Sequence, residues 1–387
     1  MNISRTRITT VLIGVLALGT GCSDFTWPEN TGAAVANYAT IVEASYSDSL
    51  MTAMALNTAL VALVDSPSQA TLDAARQAWL DSREPYLQTE VYRFYDGPID
   101  NPTDGPEGAI NAWPLDENFI DYVEGDPNAG IINGSGTIDA ATLAELNEKD
   151  GNEANVATGY HAIEFLLWGQ DGSATGPGDR PYTDYVTDGT GTAANQDRRG
   201  QYLKVAGELL VAHIGQVHSA WVEGAAYRTA FQADAQAAFK KILTGMIVLS
   251  GFETGSERLK AALDSGNQED EHSCFSDNTH RDMIQDIQGV WNVWTGTYVR
   301  TDGTQIKGTA IKDVVSAVNA DLAARVDARI LESLSLAKAL QVPFDQEIIA
   351  GSAGRDRVLA LILSLQELEK TLFEVFDAFG LTVVIPE

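Results

Sequence analysis

Apolar positions in this chain recur at helical spacing over most of its length. Val35 to Val64 is rich in Ala and Leu with a three-to-four-residue repeat, and Pro67 follows it. Ser68 to Glu90 predicts a second helix with Leu72, Ala75, Trp79, Tyr86 and Leu87 on one side. Pro85 inside that pattern predicts a kink or break. From residue 196 onward, helical patterns fall at about 196–222, 227–250, 253–264, 279–299, 309–339 and 352–379. The last is strongly amphipathic: Val358, Leu359, Ile362, Leu365, Leu368, Leu372, Val375, Phe376 and Phe379 form one apolar stripe of core residues. Strand signals are few, and Val383 to Ile385 is too short to build on. The pattern predicts an all-α fold made of bundles of long helices.

Two long interruptions break the helical pattern. Residues 96–152 carry Pro98, Pro102, Pro106, Pro114 and Pro127 among many Gly, Asn and Asp, and residues 169–195 are rich in Gly, Asp and Thr. Loops of this length inside a compact domain are usually functional. They flank a short apolar segment, Thr158 to Trp168, which holds His161 and Glu164. Three residues apart on a helix, an imidazole and a carboxylate share a face and can meet one ion or one another. Ile163, Phe165, Leu166, Leu167 and Trp168 surround them, and a carboxylate in such company needs a partner. The plainer reading is a buried His–Glu hydrogen bond with no ligand.

A second group of candidate ligands lies at 269–282. This segment holds His272, Cys274, Asp277, His280 and several further acids, all side-chain types that bind transition metals. One of Ser276, Asp277, Asn278 or Thr279 is expected to cap the helix that follows. Cys274 serves equally well as a small buried apolar residue. His213 and His218 fall in an ordinary helical pattern and are read as structural or solvent-facing. Trp79 and Tyr86 are seven apart, as are Trp291 and Tyr298, a spacing that hints at two related halves.

The N-terminus changes the expected setting. Arg5 and Arg7 precede a short apolar run from Val11 to Leu18, then Gly19, Thr20, Gly21 and Cys22. The run is too short for a membrane span. It resembles a bacterial lipoprotein signal, with residues 1–21 removed, Cys22 acylated and residues 22–33 left as a tether. Gly19 stands where such signals usually carry Leu. An ordinary secretory signal is the alternative, in which case Cys22 could bridge Cys274 in an oxidising compartment. Ser23 after the Cys favours an outer-membrane lipoprotein over one retained elsewhere in the periplasm. The formal charge of −29 argues against nucleic acid and against charge-driven adhesion to anionic lipid, and it suits a cationic ligand.

Several motifs together resemble the imelysin-like family, in particular its iron-regulated lipoprotein branch. They are G-x-H-x-x-E at Gly159, His161 and Glu164, the stretch Val91 to Asp100, Asn111 to Leu115, and Glu271 to Thr279. The resemblance implies two four-helix-bundle-like halves, roughly 34–195 and 196–380, with a site between them ringed by the long loops. It also implies a part in iron supply. Two readings follow, with a scaffold lipoprotein as a third. The first is a protein that binds iron or an iron chelate and works with iron-transport proteins. Its ligands would be His161 and Glu164 with His272, Asp277 or His280. The second is a metallopeptidase, which the family's historical label suggests, with zinc as the alternative metal. Hydrolytic zinc sites take three protein ligands and a water. Ala162 and Phe165 break both of the usual H-E-x-x-H and H-x-x-E-H patterns, so binding is ranked above catalysis.

Overall fold

The computed structural model describes residues 25–382. The signal segment, Cys22 and Val383–Ile385 lie outside the described residues. Ten helices of eight residues or more organise the described chain: α1 (Thr31–Asp65), α2 (Gln69–Leu87), α3 (Gly159–Trp168), α4 (Gln196–Trp221), α5 (Ala226–Ala233), α6 (Ala235–Ile247), α7 (Thr279–Thr295), α8 (Ile311–Val318), α9 (Ala320–Ala337) and α10 (Gly354–Ala378). A π-helix, Val248–Lys260, continues α6 without interruption. A small antiparallel hairpin, β1 (Thr297–Val299) with β2 (Gln305–Lys307), pairs Tyr298 with Ile306. The fold is all-α, as the periodicity predicts.

Packing divides the helices into two groups. The long α1 lies against α2 and α4, and α3 is wedged against α2 and α4. The second group packs α10 against α9, α6 and the π-helix, with α7 against α9. Helix α7 also touches α2, which joins the groups. The first group therefore runs through Trp221, past the 195/196 boundary drawn from sequence.

Elsewhere the expected boundaries shift for local reasons. Ser68 caps α2 in a reciprocal capping box with Thr71, as its position before the apolar run suggests. Pro85 falls in the last turn of α2, which ends two residues later, so it terminates the helix rather than breaking it in the middle. The span 309–339 is divided at Asn319, which leaves helical geometry and caps α9 through its side chain on Leu322 N–H at 3.0 Å. The break expected near 250 is absent, because the π-helix carries the chain through it. Helix α7 stops at Gly296, which has a positive φ of 61°, so Trp291 is helical while Tyr298 sits in β1. The seven-residue echo with Trp79 and Tyr86, both on α2, is therefore not repeated structurally.

Helix α1 is long and apolar enough to cross a membrane by length and composition, with a mean hydropathy of 1.4 in its most apolar window. Here it is a core helix. Val35, Tyr38, Ile41, Val42, Leu56, Leu60 and Leu63 are buried, and its opposite face exposes Met51 and Met54. Burial of this kind stabilises the fold by roughly 1.5–3 kcal/mol per large apolar side chain.

Candidate functional site

All ten residues of helix α3 are buried. Its entry requires glycine. Gly159 has a φ of +86°, and a Cβ there would stand 2.4 Å from the Ile110 carbonyl oxygen. Larger side chains then hold the helix by its own carbonyls: Trp79 Nε1 donates to Tyr160 O at 2.9 Å and Tyr185 Oη to Leu166 O at 2.7 Å. The sequence signature at Gly159, His161 and Glu164 thus combines one backbone requirement with two chemical groups.

The chemical groups meet each other first. His161 Nδ1 lies 2.8 Å from Glu164 Oε2, and both side chains are fully buried. The other oxygen of Glu164 accepts from Ser276 N–H at 3.0 Å and from its hydroxyl at 2.6 Å. His161 Nε2 has no hydrogen-bond partner. His272 stands across from it, with ring centroids 4.8 Å apart at 72°. Its Nδ1 is 2.7 Å from Asp282 Oδ2, which also accepts the Ser273 hydroxyl at 2.6 Å. The Arg83 guanidinium lies 3.5 Å from Asp282 Oδ1. Arg83 is itself fully buried, 4.9 Å from the Tyr160 ring centroid, and donates to Asn111 Oδ1. Two imidazoles are therefore each oriented by a carboxylate on Nδ1, an arrangement usual behind metal-binding histidines.

Burial sets the protonation. It pushes the Glu164 carboxyl up to about 8, against the opposing effect of Ser276 and Arg83. It holds His161 well below the ordinary histidine value, with His272 and Arg83 adding repulsion. His272 is lowered likewise, by burial and then by Arg258 and Arg83. Burial thus favours uncharged rings and a protonated Glu164, and with its proton in place Glu164 donates to His161 Nδ1. His161 Nε2 then carries a hydrogen. Transfer of the Glu164 proton to Nδ1, with release of the Nε2 hydrogen, turns Nδ1 into the donor and frees Nε2 as a lone pair. A cation taken at Nε2 therefore displaces one proton from the pair.

A cleft of about 420 Å³ reaches this buried site. His272 and Trp113 line it, and Trp113, half-buried, also lies 5.1 Å from the His161 ring. Trp113 is thus the cover between cleft and His161. The π-helix supplies the opposite wall with Phe252, Glu253, Glu257 and Arg258. Its wider winding brings residues five apart together, and Arg258 bonds Glu253 Oε1 at 2.9 Å. Arg258 also holds Glu90 at 2.6 Å and Asp286 at 2.8 Å. Flanked by Arg93 and Arg258, the Glu90 carboxyl falls to about 2 although burial opposes it, whereas burial pushes Glu107 up to about 6 and Asp286 to about 7.

The structure brings together His161, Glu164 and His272 of the residues singled out in the sequence. Asp277 and His280 stand apart from that trio. Asp277 keeps company with Asp171 and Asp345, and His280 Nδ1 lies 3.2 Å from the Asp277 carbonyl at the start of α7. The caps expected from Ser276, Asp277, Asn278 or Thr279 do not form through a side chain, since Asn278 stands at the cap position without such a bond and Ser276 serves Glu164 instead. Cys274 is buried and has no disulfide partner among the described residues, and His213 and His218 are half-buried on α4. Among the described residues, no three His, Cys, Asp or Glu side chains are grouped to hold one metal ion. Sequence reasoning missed Arg83 and the role of Asp282. The signal for Arg83 was a charge set between Trp79 and Tyr86 on the apolar side of α2.

An all-helical protein of two packed helix groups, with a buried G-x-H-x-x-E helix facing an imidazole from the opposite group, is the class that this geometry defines. The imelysin family's sequence model matches residues 42–372, and the chain belongs to that family. It is 28% identical over 270 residues to iron-regulated protein A of Synechococcus elongatus, covering 68% of this chain and 63% of that protein. The chain thus spans somewhat under two thirds of the curated relative's length. A crystal structure described as an iron-regulated protein A precursor from Parabacteroides distasonis shares the fold, with a TM-score of 0.71 at 19% identity, over 92% of this chain and 97% of that one.

Proposed function

We propose that this chain is an exported, non-catalytic capture protein of iron acquisition. It takes iron as a small chelate in the cleft beside His272 and His161. The observation that carries this reading is the pair of buried imidazoles, each held at Nδ1 by a carboxylate, with His161 Nε2 lacking any partner. Neutral imidazole with nearby carboxylate is a donor set that suits iron. No third protein ligand is grouped there among the described residues, so an ion needing further donors is taken with them as a chelate. The name of the cyanobacterial relative, the signal-like N-terminus and the acidic charge all point the same way. Anchoring through a lipid on Cys22 at the outer membrane, and transfer to iron-transport proteins, complete the proposal.

The peptidase reading finds less support in the geometry. A hydrolytic base must reach a metal-bound water, but Glu164 spends one oxygen on His161 and the other on Ser276. The test is a titration of the protein with Fe(III)–nitrilotriacetate, Fe(II) and Zn(II), followed by tryptophan fluorescence for Trp113 and by calorimetry. Binding of the ferric chelate that weakens at least tenfold in His272→Ala is the expected result. Zinc-dependent proteolysis that disappears in Glu164→Gln would replace the capture reading with the peptidase one.

A further inference from the structure

The arginines of the cleft that reaches His272 and Trp113 are already engaged. Arg93 pairs with Glu90 at 2.6 Å, Glu107 at 3.1 Å and Glu253 at 3.7 Å. Arg258 pairs with Glu90 at 2.6 Å, Glu253 at 2.9 Å and Asp286 at 2.8 Å. Three further acids line the same cleft: Glu148, Glu153 and Glu257. All three are exposed, and none joins an ion pair among the described residues. They come from facing walls. Glu257 stands on the π-helix, and Glu148 and Glu153 lie in the chain before α3. The Glu148 carboxylate is set against Gly108, where a Cβ would stand 2.9 Å from its Oε1, next to Glu107 in the sequence. A cleft lined by one sign of uncompensated charge focuses its field on whatever enters.

A second observation concerns Asn111, which is 3% exposed and lines this cleft. Arg83 donates to its side chain, and a guanidinium can only donate, so the atom it meets is Oδ1 and the amide nitrogen is left over. That nitrogen, Nδ2, has no hydrogen-bond partner. A buried N–H is costly to leave unpaired, so this one calls for an acceptor oxygen brought by the ligand. Trp113, two residues on, is the cover over His161.

We propose that the cleft selects its chelate by charge: it takes an iron complex that is uncharged or cationic and offers an acceptor oxygen to Asn111, and it turns away polycarboxylate complexes that stay anionic after binding iron. The inference rests on the capture reading and adds the class of ligand to it. An anionic complex meets unpaired glutamates and no unpaired arginine, whereas a cationic one meets three opposite charges. Specificity of this kind works by repelling the wrong ligand as much as by holding the right one. A dihydroxamate fits both conditions. Each hydroxamate gives up one proton to bind Fe(III) through two oxygens, so the complex keeps a positive charge, presents oxygen acceptors and leaves coordination positions open for imidazole.

The test is a calorimetric titration with three Fe(III) complexes: the cationic equimolar complex of suberodihydroxamic acid, the uncharged nitrilotriacetate complex and anionic ferric citrate. Exposed charge pairs are individually weak, so the three together should give roughly a tenfold preference for the cationic complex over ferric citrate. The gap should close to about threefold or less at high NaCl and in the triple variant Glu148→Gln/Glu153→Gln/Glu257→Gln, whose exposed positions do not endanger folding. Asn111→Asp keeps an oxygen for Arg83 but replaces the unpaired donor by an acceptor, and should bind the nitrilotriacetate complex roughly tenfold more weakly. Ferric citrate bound as tightly as the cationic complex, or a gap that survives the triple variant, would overturn the charge selection while leaving iron capture standing. Unweakened binding in Asn111→Asp would remove Asn111 from the site. Failure of all three complexes to bind would overturn the capture reading and this inference with it.

Discussion

The segment 271–282 faces two environments within a few residues. At His272 and Asp282 the buried charge is answered: Asp282 receives the Arg83 guanidinium, the Ser273 hydroxyl and His272 Nδ1. At Glu271 and Asp277 it is not, and four carboxylate oxygens lack any partner. The same physical cost, desolvation of a carboxylate, is therefore met internally on one side and left for something else to meet on the other. Internal compensation marks the part of the site that is built before any ligand arrives. Its absence marks the part that a proton must complete.

Breaking the compensated side should cost most. Arg83→Met leaves Asp282 buried without its counter-charge and is expected to lower stability by about 3–5 kcal/mol, read by urea denaturation. A loss under 1 kcal/mol would mean that Asp282 is not compensated by Arg83. Glu164→Gln acts through pH. Because the folded-state value of Glu164 is raised to about 8 from an ordinary 4.5, its contribution is fully present in acid and is lost as pH rises towards 8. Wild-type protein should thus lose stability, on the order of a few kcal/mol, between about pH 4.5 and 8 through this group. The variant should show a visibly flatter profile over that window, and parallel profiles would show that Glu164 titrates normally. Ser276→Ala removes one of the two bonds to Glu164 Oε1 and should cost about 1–2 kcal/mol. On the uncompensated side the sign reverses: Glu271→Gln should be neutral or raise the melting temperature slightly, because no hydrogen bond to either oxygen is lost.

Much of this was legible in the sequence, for identifiable reasons. Helices with a strong apolar stripe, such as α10, announce themselves, and so do His161 and Glu164, because an imidazole and a carboxyl inside an apolar run each need a partner. The π-helix was not legible: its residues 248–260 satisfy a helical pattern and a break equally well, and Gly251 and Gly255 look like punctuation. In the structure Gly251 lies inside the π-helix beside the Glu369 carboxylate of α10, so that glycine marks no turn. The grouping of His272 with His161 followed from chemistry, but Asp277 could not be separated from it by sequence. Five residues further along the same loop, it points its chemistry at Asp171 and Asp345, which lie about 100 and 70 positions away and carry no motif of their own.

The central claim is that the paired imidazoles capture an iron-bearing small ligand. The most direct measurement is calorimetric titration of the protein with Fe(III)–nitrilotriacetate at pH 6 and pH 8, beside His161→Ala and His272→Ala. The account predicts one site per chain, tighter at pH 8 because a cation at His161 Nε2 displaces the proton shared with Glu164, and at least tenfold weaker in either variant. Binding that is unchanged in both variants, or no binding at either pH, would contradict it.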